Sequence, residues 1–493
     1  MKRIVIGWVI VGLAWGRGGA AQGSPAVPAY VVELRQLTGN QSLTVEEVNA
    51  GIAEASSDYN YFMKLYLTGK IPSLPHGLRL TALHRGVQPV AVEDAGGLKS
   101  IAHLRKDPDI VVKEIAYRSS VSDLHPLYAE VCYSPKGRDL PIAVVQHGGN
   151  PGSRFGTVSS CYRMAKKGLF GISVSKRARD GSAGANDSWA VETFDIIDAI
   201  EVVKREYAAQ VDPTNVNIWG YSGGCIDAVA AAVRFPDYFR LVAPYFGQLE
   251  WTKTWGSIPK ERRRQHAAKG EQVKGNNIVD GIGGFPDEVP DRYLARDLLL
   301  GVINNPYSRF HFFLDSEDPS GPLLQEHFKT YLAKSQALGR RNVELHLSKP
   351  GDVYRWHHAY PGSWDELGNP DLMAAEAAYL SHILNRDYPE PVLADGGRMN
   401  VLGYLKTKEF FVWLGKGDDA VAELDYALTG PVNTFAFRRL SSNPSVRGRL
   451  TVPNPAGHRW RIEISGKVVR ETRDPNVVAS FDLNDTVVMR RVD

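Results

Sequence analysis

The stretch Val216-Asn217-Ile218-Trp219-Gly220-Tyr221-Ser222-Gly223-Gly224-Cys225 leads directly into Ile226-Asp227-Ala228-Val229-Ala230-Ala231-Ala232-Val233-Arg234. A short buried strand over Val216–Trp219 runs through a glycine-framed serine into a helix of small residues, Gly224–Arg234. A serine on such a sharp strand-to-helix turn is lifted above the sheet edge, and glycines beside it let strand and helix close without a Cβ between them. The helix below offers its N-terminal dipole to developing negative charge. Ser222 is therefore the candidate nucleophile, and the backbone N–H of Gly223 the first candidate oxyanion donor. A G-x-S-x-G string is weak evidence by itself; the strand before it and the helix after it make it specific.

Outward from this turn the pattern alternates. Strands are expected at Ile110–Ile115, Leu127–Cys132, Ile142–Val145, Phe170–Val174, Leu241–Phe246, Phe310–Leu314 and Val343–Leu347. Helices are expected around Ser159–Lys167, over Ala190–Tyr207, where Phe194, Ile197, Ile200 and Val203 recur at helical spacing, and at Leu372–Leu384. Strands alternating with helices imply an α/β fold with a mostly parallel, doubly wound sheet over residues 111–390. The stretch 248–300 interrupts it with little strand character, as caps and lids do. Its segment 253–274 concentrates Lys253, Lys260, Arg262, Arg263, Arg264, Lys269 and Lys274 against Glu261 and Glu271. A solvated helix face accounts for this cluster; the sharper reading is a cap that draws in an anionic substrate.

A nucleophilic serine needs a base and the base an orienting carboxylate. Strand Phe310–Leu314 ends in Asp315-Ser316-Glu317-Asp318-Pro319. Asp318 is preferred as the acid because it lies on the loop proper, with Asp315 and Glu317 as positional alternatives. The loop Lys349–Trp364 carries His357 and His358; His358 is preferred because Tyr360 follows to wall the site. His266, His327 and His382 read as surface or packing residues. The second oxyanion donor is expected from Gly149 in His147-Gly148-Gly149-Asn150-Pro151-Gly152, a glycine-rich turn after a buried strand.

These motifs in this order, with the Lys176–Ser182 turn and Asp212-Pro213 between them, resemble the α/β-hydrolase superfamily, nearest its prolyl-oligopeptidase-like and dienelactone-hydrolase-like branch. The resemblance covers residues 111–388. It implies Ser222, Asp318 and His358 as triad and Gly149 and Gly223 as oxyanion hole. Prolyl-oligopeptidase-like peptidases carry a β-propeller before the hydrolase domain, and 22–110 is too short for one; this tilts the expectation toward esters. Cys225 follows the motif where many relatives have one more residue before the paired glycines, and it reads as a buried small hydrophobe.

Both ends have their own character. Lys2 and Arg3, an apolar run Ile4–Trp15, and Gly19 and Ala21 form the three-part layout of a secretory signal peptide at 1–21. The apolar run is too short for a comfortable membrane span. Residues 22–110 are expected to form an arm or accessory layer, with a helix capped by Ser42 or Thr44, opened by Glu46 and Glu47 and continued by Val48, Ile52 and Ala55. From 391 to 493 short alternating runs (Phe410–Leu414, Thr434–Phe437, Arg449–Val452, Trp460–Ser465, Val477–Leu483, Val487–Val488), punctuated by Gly, Pro, Asn and Asp, read as an all-β module.

Composition narrows the function classes. The 493 residues carry 58 Lys+Arg and 55 Asp+Glu, a net charge of +3, which is no basis for nucleic-acid binding. Loss of 1–21 removes three cations and no acid, so the exported chain is neutral. Three cysteines make no disulfide framework, although Cys132 and Cys161 are candidates to pair in an exported protein. No P-loop, metalloprotease helix, EF-hand loop or dinucleotide fingerprint is present, so no cofactor or metal is implied. The expectation is a secreted or periplasmic serine hydrolase cleaving a carboxylic ester, on a polysaccharide or polyester; a peptidase or amidase is the alternative, and a non-catalytic binding protein of the same fold a third reading.

Overall fold

Seven of the eight strands between residues 111 and 348 point the same way, because helices carry the chain back across the sheet. The computed structural model describes residues 29–54, 104–149, 154–253, 277–349 and 388–493, except positions 123, 178, 181, 317, 319 and 320. Two helices, α1 (Ala29–Thr38) and α2 (Val45–Glu54), precede the sheet. At α2 the Glu47 N–H donates to Thr44 Oγ1 (3.1 Å) and the Thr44 N–H to Glu47 Oε2 (2.7 Å). This reciprocal cap is the one its sequence proposes, with Thr44 rather than Ser42 as the capping residue. Helix α1 is absent from the sequence reading.

The sheet comprises β1 (Val111–Tyr117), β2 (Leu127–Tyr133), β3 (Leu140–Gln146), β4 (Phe170–Val174), β5 (Val211–Tyr221), β6 (Leu241–Tyr245), β7 (Arg309–Asp315) and β8 (Val343–Ser348). Their order is β1-β2-β4-β3-β5-β6-β7-β8, and only β2 runs against its neighbours. Every residue of β3, β4 and β6 is buried, as expected of strands covered on both faces. The covering helices are α3 (Val158–Lys166), α4 (Thr193–Glu206), α5 (Gly223–Arg234) and α8 (Gly321–Ala337). Between β6 and β7 lie α6 (Asn277–Ile282) and α7 (Pro290–Leu294). The Leu298 N–H donates to the Leu249 carbonyl (2.9 Å), so the 248–300 excursion leaves and rejoins the domain at one point.

Two boundaries shift for physical reasons. Helix α4 starts at Thr193, not Ala190, because Asp187 accepts the N–H groups of Ala190 (3.0 Å) and Glu192 (2.9 Å) and holds 187–192 as a turn. Strand β5 starts at Val211 rather than at the expected Val216, and its pairing with β3 shifts register between Pro141 and Ile142. Cys132 and Cys161 do lie side by side, but as buried free thiols, so the expected candidate disulfide is not formed. The helix expected at Leu372–Leu384 lies outside the described residues. No described helix is long and apolar enough to cross a membrane.

The C-terminal strands β9 (Gly396–Leu402), β10 (Tyr404–Lys406), β11 (Phe411–Leu414), β12 (Val421–Leu428), β13 (Val432–Arg439), β14 (Arg447–Pro453), β15 (Trp460–Ile464), β16 (Lys467–Thr472), β17 (Asn476–Asp482) and β18 (Thr486–Arg491) form one ten-stranded antiparallel sheet. Strands β9, β10, β12 and β16 are not among the expected runs. Charges obscure β12: Glu423 and Asp425 sit opposite Arg438 and Arg398 as cross-strand pairs on its outer face. The module is no loose appendage. Leu402, Tyr404 and Val421 are fully buried within the core of the α/β domain. Phe194 of α4 meets the Tyr404 ring at 4.5 Å and the Phe411 ring at 5.7 Å. Asn304 donates to the carbonyls of both Val233 and Asn400 (2.7 Å each).

Candidate active site

Ser222 sits between β5 and α5 with φ +54° and ψ −117°, a region a non-glycine residue enters only when its surroundings hold it there. The hold is visible. Its N–H donates to the Tyr245 carbonyl on β6 (3.0 Å), and its carbonyl accepts from Cys225 (3.1 Å). The following glycines are demanded by close approach: a Cβ on Gly224 would fall 2.1 Å from the Gln146 carbonyl oxygen, and one on Gly223 2.2 Å from that of Gly149. The loop after β3 is thus pressed against the serine turn, with Gly149 at φ +85°. As a first-turn residue of α5, Gly223 has an N–H with no acceptor inside its own helix. Ser222 itself is half-buried, while Cys225 is fully buried and burial pushes its thiol well above the usual range.

A positive-φ serine at the exit of the fifth strand, a glycine turn after the third, and a sheet ordered β1-β2-β4-β3-β5-β6-β7-β8 decide the fold. This is an α/β-hydrolase fold. No family model and no curated protein matches the sequence. Among solved structures, the chain is similar to an esterase from Pyrobaculum calidifontis (18% identity, 64% of this chain and 99% of that one, TM-score 0.42). It is also similar to an acylaminoacyl peptidase from Pyrococcus horikoshii (18% identity, 59% of this chain, TM-score 0.43) and a puromycin-hydrolyzing peptidase from Mycobacterium tuberculosis (15%, 56%, 0.42). It spans 44% and 40% of the length of these two peptidases.

The α/β-hydrolase sheet also places the candidate acids. Asp315 ends β7 fully buried and accepts the Ser348 hydroxyl at the end of β8 (2.7 Å), tying the two strand ends together. Asp318 lies one turn further on, 3% exposed, with its N–H donating to the Asp315 carbonyl (3.3 Å). Glu317, His357 and His358 lie outside the described residues. Of the expected site, the structure brings together Ser222, Gly223 and Gly149. His327 is buried on α8, its Nδ1 accepting the Leu249 N–H (3.2 Å), which accounts for it as a packing residue. In the basic 253–274 segment Lys253 pairs with Glu326 (3.0 Å) at the surface; the other cations lie outside the described residues.

Behind the serine turn is a buried charged layer that sequence reading overlooks. Lys176, after β4, pairs with Asp227 of α5 (2.9 Å) and lies 4.9 Å from the Trp189 ring centre. Trp189 has φ +66°, stacks on Trp251 (5.1 Å) and donates its indole N–H to the Gly223 carbonyl (3.0 Å). The turn that carries Trp189 is therefore bonded to the peptide after Ser222. Beside it Arg177 forks onto both Asp195 oxygens (2.7 and 2.9 Å). Asp227 was the legible clue, a lone carboxylate in a helix otherwise of small and apolar residues up to Arg234.

Burial pushes Asp227 and Asp195 up to about 6 despite their cationic partners. Glu192 accepts the Trp189 N–H (2.8 Å) on one oxygen, and burial, reinforced by Asp187, pushes it up to about 8. A carboxyl raised in the folded state stabilises the fold below its ordinary value of 4.5 and loses that contribution as pH rises through about 8. Wild-type protein should therefore lose urea resistance between pH 5 and 8.5, and Glu192→Gln should flatten that decline. Identical slopes for the two proteins would show that Glu192 is ionised in the fold throughout.

Proposed function

We propose that this protein is an exported serine hydrolase that cleaves carboxylic esters through an acyl-enzyme. The observation that carries the reading is the strained Ser222 turn, pinned by Tyr245 and pressed against Gly149 at the N-terminus of α5. Strain of this kind is retained where the surroundings over-determine it, and it clusters at reactive sites. In the proposed reaction His358, oriented by Asp318, takes the Ser222 proton as Oγ attacks the carbonyl carbon. The N–H groups of Gly223 and Gly149 bind the tetrahedral oxyanion. The ester C–O bond breaks, His358 returns the proton to the leaving alcohol, and water resolves the acyl-enzyme by the same route.

The preference for ester over amide is the part of this reading that a substrate panel decides. The direct test is a panel of p-nitrophenyl esters and p-nitroanilides with matched acyl groups. The expected result is hydrolysis of the esters with little action on the anilides. Comparable rates on both series, or anilides alone, would make the protein an amidase. Adding anionic acyl groups to the panel tests whether the basic cap segment draws in charged substrate, a preference that should weaken with salt.

A further inference from the structure

Away from the serine turn, strands β7 and β8 bring two imidazoles and a carboxylate to one spot. Parallel pairing sets His311 opposite Glu344, and Glu344 and His346 share a face of β8 because they are two residues apart. His311 Nδ1 lies 2.9 Å from His346 Nε2, with the rings within 13° of parallel. Glu344 Oε2 is 3.7 Å from His311 Nδ1 and 4.0 Å from His346 Nε2. These three donor atoms lie within 4.8 Å of one another.

The surroundings orient each donor. Arg309 binds Glu344 Oε1 (3.0 Å), so the other oxygen faces the histidines. His311 is 1% exposed, and its Nε2 lies 3.2 Å from the Tyr388 hydroxyl. With Nε2–H donating to Tyr388, Nδ1 carries the lone pair, the arrangement in which an outer partner sets the tautomer of a ligating histidine. His346 stacks on Phe313 (4.6 Å) and is partly exposed, as is Glu344, so the group is open to solvent on one side.

We propose that His311 Nδ1, His346 Nε2 and Glu344 Oε2 form a site for a divalent transition-metal ion of the zinc type. Two imidazoles and one carboxylate suit such an ion, and a water would complete four-coordination. Zn–N bonds of about 2.0–2.1 Å put the two nitrogens slightly further apart than their present hydrogen bond, a small rotation of the partly exposed His346. Binding moves the shared proton to His346 Nδ1 and replaces the imidazole–imidazole hydrogen bond with two metal bonds. The ion would cross-link β7 to β8, the strands whose following loops carry Asp318 and the two candidate histidines. The proposal is independent of the hydrolase reading, and its test does not use activity.

The experiment uses the full chain stripped with a chelator and titrated with Zn2+ or Co2+ alone, by calorimetry and visible absorption. Wild type should bind one ion more than His346→Ala, with a Co2+ absorption band that the variant lacks. Glu344→Gln, at a half-exposed position, should bind at least about tenfold more weakly. Zn2+ should raise the Tm of wild type and leave that of His346→Ala unchanged, and the wild-type shift should fade below about pH 6 as the imidazoles protonate. Equal stoichiometry and affinity in wild type and both variants, or equal Tm shifts, would overturn the site and leave the group as a hydrogen-bonded strand clamp.

Discussion

Ser222→Ala is expected to lower ester hydrolysis by roughly 10⁴–10⁶-fold and to abolish labelling by a fluorophosphonate probe. The large effect follows from the division of labour: without Oγ no acyl-enzyme forms, and the base and oxyanion donors are left to act on water. The fold should be indifferent to the change. Alanine keeps the Cβ, and the +54° backbone at this position is held by the Tyr245 and Cys225 bonds, which are made by main chain. Unchanged Tm with lost activity would separate chemistry from folding, whereas a variant retaining a tenth of the rate would remove Ser222 from the reaction. The acids divide in the same way. Asp318→Asn should reduce turnover with the fold intact. Asp315→Asn should chiefly cost stability, because Asp315 is the buried acceptor for Ser348.

Arg234→Met should destabilise the protein by about 3–5 kcal/mol, a drop of many degrees in Tm. Arg234 closes helix α5, is fully buried and lies 5.1 Å from the centre of the Tyr404 ring. Its guanidinium donates to the carbonyls of Leu402 (3.1 Å), Trp189 (2.6 Å) and Ala295 (2.9 Å) and to the Thr193 hydroxyl (3.2 Å). Methionine fills much of the same space but leaves three buried carbonyls without this donor, and an orphaned buried acceptor costs about 1–3 kcal/mol. One side chain thus joins the β module, the Trp189 turn and the segment after α7 to the helix that starts after Ser222. The variant should also lose activity through the displaced Trp189–Gly223 bond. Unfolding free energies within about 0.5 kcal/mol of wild type would show that the module is only loosely attached.

That coupling bears on how the β strands are read. Six of the ten C-terminal strands are legible as alternating runs, and the all-β character of the module with them. Strand β12 is not, because Glu423 and Asp425 break its apolar rhythm in favour of cross-strand charge pairs. Nothing local marks the inner face of β9 and β10 as part of another domain's core either: Leu402 and Tyr404 look like any strand residues until α4 and α5 are set against them.

The candidate site divides similarly. Ser222, Gly223 and Gly149 are readable because each sits in a short strand-to-turn pattern, although the close approach of Gly149 to Gly223 joins two such turns that are distant in the chain. The capping box of α2 is readable for the same reason. Lys176 with Asp227, Trp189 over Gly223, Arg234 at the domain seam, and His311 with Glu344 and His346 are contacts between segments distant in the chain. Hydrophobic period specifies which face of an element is buried, but not which element lies opposite it. By itself the sequence determined the α/β alternation, the Ser222 turn and its glycines, because each follows from short-range sterics and periodicity. Only the tertiary structure decided which buried charges stand behind that turn and which strands meet. Those pairings follow from sheet order and packing, and they join side chains that no local pattern connects.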